Sequence, residues 1–169
     1  LWPERFLLSA LLFAGLIPFA LGQTIAWHNT GMFRTSIFFT ALAGLVFVLL
    51  GVEAFNEYFD ARIGTDRVFS LEKEDVPRWR FFLGLASFAS AACVMIILTI
   101  KLGWPVAVFA SVGAVAACFY VTPPVKLAYR GLGEIAILLS YGPMMTAGSF
   151  FIQAGRINLT PFAASVIPA

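Results

Sequence analysis

Five long uncharged apolar runs, at 6–27, 35–52, 81–100, 102–125 and 135–155, constrain this chain more than any other feature. A helix that crosses a bilayer needs about 20 apolar residues, and each run is of that order. Hydrocarbon offers no partner to backbone N–H and C=O groups, so such a run satisfies them within its own helix. A further apolar stretch, 157–169, stops after 13 residues, too short to cross. The expected fold is therefore an all-α polytopic transmembrane bundle, with five complete spans and the start of a sixth.

The rest of the composition agrees. Charged residues make up 12% of the 169 residues and hydrophobic ones 60%, where a soluble domain carries about 25% charged. A disordered chain is excluded, and a soluble globular fold lacks the polar surface it would need. The net charge of +2, with no basic run, leaves no nucleic-acid partner to expect. Cys93 and Cys118 sit in apolar segments without metal-like spacing and read as small buried thiols, and His28 reads as a loop residue. The first run is too long, and too often repeated downstream, for a cleaved signal peptide. With no initiator methionine and an end inside an apolar run, both ends are expected to be cut.

If all five runs span, the connecting segments alternate sides. Arg5, Arg62, Arg67, Lys73, Arg78, Arg80, Lys126 and Arg130 share one side, and Arg34, Lys101 and Arg156 the other. This bias places the first side, with the N-terminus, in the cytoplasm of a multi-pass inner or plasma membrane protein. Small residues such as Gly84, Ser87 and Ala91 permit close helix packing. Pro18, Pro105 and Gly142-Pro143 are expected to kink or break helices.

Seven of the nine acids fall between 53 and 75, on the cytoplasmic side. Glu72-Lys73-Glu74-Asp75 reads as a solvated loop. Glu53, Asn56, Glu57 and Asp60 are different, because the spacing i, i+3, i+4, i+7 stacks four oxygen-bearing side chains on one helical face. The helix continues from an apolar span, so the stripe begins at the membrane edge, where carboxylates need a wet cavity or a cation. Oxygen ligands suit Mg²⁺, which is held by one or two carboxylates together with waters and substrate phosphates. A turn at Gly64 would let Asp66 contribute. A solvated amphipathic helix end is the alternative at this stage.

The stretch Asn56-Glu57-Tyr58-Phe59-Asp60-Ala61-Arg62-Ile63-Gly64-Thr65-Asp66 resembles the first aspartate-rich motif of the UbiA superfamily of intramembrane prenyltransferases. Gly64, two residues before the last Asp, is most like the branch that prenylates 1,4-dihydroxy-2-naphthoate in menaquinone synthesis. Tyr120-Val121-Thr122-Pro123-Pro124-Val125-Lys126, followed by Tyr129-Arg130-Gly131-Leu132-Gly133-Glu134, is similar to that family's loop between its fourth and fifth helices. Tyr141-Gly142-Pro143 and Gln153-Ala154-Gly155 fit the same branch. Two departures stand out. The family usually has Asp where this chain has Glu57, and its second aspartate-rich motif belongs to helices absent from this chain.

The resemblance implies the N-terminal portion, over 1–169, of a single nine-helix prenyltransferase domain, expected to be inactive alone. It implies Mg²⁺-dependent transfer of a polyprenyl group from polyprenyl diphosphate to an aromatic quinone precursor within the lipid bilayer. Asn56, Glu57, Asp60 and Asp66 would hold the metal; Lys126, Arg67 and Arg130 would meet the diphosphate; Asp60, Asp66 and Lys126 would be catalytic. The acceptor is itself the nucleophile, so no catalytic serine or cysteine is required. Acceptors such as 4-hydroxybenzoate or homogentisate stay open. The rival classes are a cation-binding transporter and a membrane scaffold. A transporter would place ionisable groups near the midplane, whereas here the apolar runs are uncharged and the acids lie at one edge.

Overall fold

The computed structural model describes residues 3–63, 77–121, 127 and 131–165, all helical or connecting, with no strand among them. Helix α1 spans Pro3–Thr30 and ends where the Gly31 N–H bonds back to the Trp27 carbonyl at 2.8 Å. Helix α2, Thr35–Ile63, runs well past its apolar stretch. Apolar residues hold the helix in the bilayer, and good helix formers such as Glu and Ala carry it onward through Asn56 and Glu57. Helix α3, Trp79–Leu102, stops at Gly103, whose φ of 97° an L side chain resists, and Pro105 then opens helix α4, Pro105–Val121.

The run at 135–155 is one continuous helical segment of mixed winding. Helix α5, Gly133–Leu139, passes through a single π-helical turn, Ser140–Met144, into helix α6, Met145–Ala154. Pro143 lies in the wide turn. It lacks an N–H and its ring crowds the preceding turn, so local rewinding accommodates it without breaking the helix. The short helix α7, Thr160–Ala164, lies in the final apolar stretch.

Among the described residues, Thr35–Phe59, Trp79–Leu102 and Gly133–Ala154 are long and apolar enough to cross a membrane, whereas the apolar part of α4, Pro105–Ala116, is shorter. Helix α2 packs most extensively against α3, and α1 against α6. The α2–α3 pair is an antiparallel hairpin in which glycine on one helix receives a side chain from the other. Gly44 meets Val94, Gly51 lies under the Phe88 ring, and Gly84 receives the Phe55 ring. Close approach of this kind matters in hydrocarbon, where van der Waals packing replaces the hydrophobic effect as the force between helices. Phe19, Leu45, Leu49, Leu98 and Phe151 are buried together at the centre.

Large apolar side chains of α3, among them Phe82, Leu85, Ile97 and Ile100, point outward. In water such a surface would invite association; against lipid it is neutral. Trp79 stands exposed at one end of the bundle, and Trp27 and Trp104 at the other, the places where aromatic belts meet headgroups. Two expectations about single residues fail. His28 sits in the last turn of α1, because helix continues through it, and Cys93 is exposed on the outward side of α3.

Candidate active site

The acidic stripe occupies the last turns of α2, at the end of the bundle opposite Arg34. The antiparallel register of the hairpin brings the beginning of α3 beside it. Stepping from Gly51–Phe88 to Phe55–Gly84 and on towards the α2 C-terminus reaches Trp79, Arg80 and Phe81. Aromatic rings fasten this corner. Phe55 stacks on Phe81 with centroids 5.5 Å apart and planes 8° from parallel. Tyr58, itself buried, adds a tilted contact to Phe81 at 5.2 Å. Pairs of this geometry each contribute about 0.5–1.5 kcal/mol beyond the area they bury.

Two predicted site residues have described side chains, and they behave differently. Asn56 is half-buried, and its Oδ1 is fully sheltered with no hydrogen-bond partner among the described residues. An orphaned buried acceptor costs about 1–3 kcal/mol, so this oxygen suits an electropositive ligand. Glu57 has a partner: its Oε2 forms an ion pair with Arg80 Nη1. The Arg80 guanidinium also lies 5.5 Å over the Trp79 ring. Asp60 is placed one helical turn beyond Asn56 along α2, with only its backbone described. Asp66, Arg67, Lys126 and Arg130 lie outside the described residues. Among the described residues no three His, Cys, Asp or Glu side chains converge as a metal cage.

Sequence reasoning counted Arg80 only in the charge balance and missed its link to Glu57. The signal lay in the hairpin, since an antiparallel partner returns its first residues to the last turns of α2. What the run lengths alone did not reveal was the register.

A second polar group lies towards the opposite end, between α1 and α6. The Ser149 hydroxyl donates to the Phe19 carbonyl, and Gln23 Nε2 donates to the Ser149 carbonyl at 3.0 Å. There is no room for a β-carbon at Gly22, which would overlap the Thr146 carbonyl oxygen and Ser149 Oγ. Arg34, just ahead of α2, sends Nε and Nη2 to the Gln153 carbonyl at 3.0 and 2.6 Å, while its backbone N–H donates to Gln153 Oε1 at 3.2 Å. The orphan carbonyls at the end of α6 thus gain a cation from the connection just ahead of α2.

An all-helical bundle with apolar membrane-length segments and an oxygen-rich helix end at one edge defines an integral membrane protein with a polar site at the interface. The chain belongs to the UbiA prenyltransferase family, whose profile matches residues 15–169. It is 28% identical over 162 residues to UbiA prenyltransferase domain-containing protein 1 of Xenopus tropicalis, covering 90% of this chain and 46% of that protein. It is 26% identical over 160 residues to 1,4-dihydroxy-2-naphthoate octaprenyltransferase of Bacillus subtilis, covering 90% and 51%. To 2-carboxy-1,4-naphthoquinone phytyltransferase of a Synechocystis species it is 25% identical over 154 residues, covering 86% and 50%. The chain thus spans about half the length of the curated relatives it matches. No solved structure matches it.

Proposed function

We propose that the full-length protein transfers a polyprenyl group from polyprenyl diphosphate to an aromatic quinone precursor, 1,4-dihydroxy-2-naphthoate or a close relative, at the cytoplasmic membrane edge. The observation that carries this reading is the sheltered Oδ1 of Asn56, without a partner among the described residues, at the membrane-edge end of α2, one turn from Asp60. Family membership and the naphthoate-prenylating relatives support the reaction class and the acceptor.

Each residue has a physical task in this reading. Asn56, Asp60 and Asp66 offer oxygen ligands to a hard divalent cation, for which Mg²⁺ is the natural candidate. Bound there, Mg²⁺ would neutralise charge developing on the diphosphate as the allylic C–O bond breaks. Lys126, with Arg67 and Arg130, would hold the diphosphate oxygens by charge-assisted hydrogen bonds. The apolar helices keep water from the allylic cation until a carbon of the electron-rich ring attacks it, and the ring then loses its proton. The acceptor supplies the nucleophile, so the protein's work is positioning and charge stabilisation.

The test uses membranes carrying the full-length protein, labelled polyprenyl diphosphate and dihydroxynaphthoate, 4-hydroxybenzoate or homogentisate. Product is expected with Mg²⁺ and not with chelator, and with dihydroxynaphthoate over the other acceptors. Undiminished product from a variant carrying both Asp60→Asn and Asp66→Asn would refute the site.

A further inference from the structure

Glu57 and Arg80 form a unit that the proposed chemistry does not use. Arg80 sits in the first turn of α3 with its side chain 26% exposed, and Glu57 is on α2 with its side chain 31% exposed. The guanidinium is held twice, by the Glu57 carboxylate and by the Trp79 face, and its Nε is sheltered without a partner among the described residues. Such an arginine is anchored where it is: leaving would strand a half-buried carboxylate and give up the stacking.

The position of Glu57 within the stripe explains why it needs a cation. Glu53 and Glu57 are four residues apart, so two like charges stack on one helical face and repel. A guanidinium at Glu57 removes one charge from that row. The Glu57 carboxylate spans from α2 to the first turn of α3. A carboxylate engaged in this way has fewer lone pairs and less net charge to offer a divalent ion than a free one.

The geometry points to Glu57 serving Arg80 and not the metal: the pair is a clamp that ties the last turns of α2 to the first turn of α3, and Arg80 is a positioning residue for Asn56 and Asp60. This inference rests on the reading of α2 as the metal-binding end of a prenyl-transfer site. It assigns Glu57, the position where the motif departs from its usual Asp, to a different task from its neighbours.

A double-mutant cycle on the full-length protein in mild detergent separates the alternatives, using wild type, Glu57→Gln, Arg80→Gln and the double variant. The first readout is the melting temperature in excess chelator, where metal ligation plays no part. A clamp predicts that each single change lowers it and that the double lowers it by less than the two shifts combined, because the second change removes a partner already stranded. The charge-swapped variant Glu57→Arg with Arg80→Glu should recover part of the loss, which guards against a variant that merely folds poorly. The second readout is the Mg²⁺ concentration giving half-maximal prenyl transfer. It should stay within about threefold of wild type in the double variant while turnover falls, since a clamp alters placement more than ligand count.

Additive shifts in chelator, or an increase of about tenfold or more in the Mg²⁺ requirement of both Glu57→Gln and the double variant, would overturn the assignment and make Glu57 a ligand. Failure of the underlying reading is distinguishable. Asp60→Asn with wild-type activity and Mg²⁺ dependence would remove the metal site, whereas the coupling measured in chelator would still report whether 57 and 80 act as a pair.

Discussion

The contact of α1 with α6 at Gly22 yields a prediction whose sign depends on the structure. In a generic helix, Gly→Ala is stabilising by about 0.8–1.0 kcal/mol through backbone entropy alone. At Gly22 the added carbon would overlap the Thr146 carbonyl oxygen and Ser149 Oγ, with the Phe150 backbone nitrogen 3.0 Å away. Carbon–oxygen contacts settle near about 3.3–3.6 Å, so the two helices must part by about 1 Å. Separation of that size forfeits a quarter to a half of the dispersion energy of the touching atoms, by the usual ~0.5–1 Å rule. It also stretches the Ser149–Phe19 and Gln23–Ser149 hydrogen bonds, each worth about 0.6 kcal/mol between membrane helices. Overpacking strain adds about 1–3 kcal/mol. After subtracting the propensity gain, Gly22→Ala should destabilise by about 1–3 kcal/mol. Gly113 in α4 is the control, since a β-carbon there meets nothing within 4 Å and Gly113→Ala should stabilise or be neutral. Equilibrium unfolding of the full-length protein in mixed micelles measures both. If Gly22→Ala proved as stabilising as Gly113→Ala, the close approach of α1 and α6 would be wrong.

Three other outcomes follow from contacts already described. Asn56→Leu removes a buried acceptor with no partner among the described residues, so in chelator the melting temperature should hold or rise, by up to the equivalent of about 1–3 kcal/mol, while prenyl transfer is lost. Arg34→Ala strips the Gln153 carbonyl of its guanidinium and should cost about 1–3 kcal/mol in the same unfolding assay, with Arg34→Lys recovering part because an ammonium lacks the fork. Gly84→Ala drives a β-carbon into the Phe55 ring, a side chain and not backbone, so it should destabilise less than Gly22→Ala, and adding Phe55→Leu should relieve the clash while forfeiting the Phe55–Phe81 stacking, so that the two changes together cost less than their sum.

Much of the fold was legible because the dominant physics is local. An apolar run of membrane length satisfies its own backbone, so the five runs became helices wherever their partners sit. The continuation of α2 into its polar stripe was legible for the same reason, since i, i+3, i+4, i+7 spacing is a property of one helix. The π-helical turn was not. Pro143 announced a disturbance, but whether the helix breaks, kinks or rewinds there depends on its surroundings. At the candidate site, the shelter of Asn56 Oδ1 was not legible, because it depends on what packs around that turn of α2. The partner of Glu57 was hidden because the register of α2 on α3 is decided by Gly51, Phe55, Gly84 and Phe88 fitting into one another, a fact about two surfaces. The pairing of Arg34 with α6 escaped for the same reason, at a separation of 119 residues.

That separation has a consequence for how the protein is made. Arg34 emerges in the turn after α1, well before the chain that forms α6 exists. Until then its guanidinium can rest only among headgroups or water at the membrane surface, as long basic side chains do at helix ends. The Gln153 and Ile152 carbonyls, once synthesised, face the same want of a partner. Their meeting is therefore a late event of assembly, since these bonds form only once α6 brings its end to the side of the membrane where Arg34 already waits.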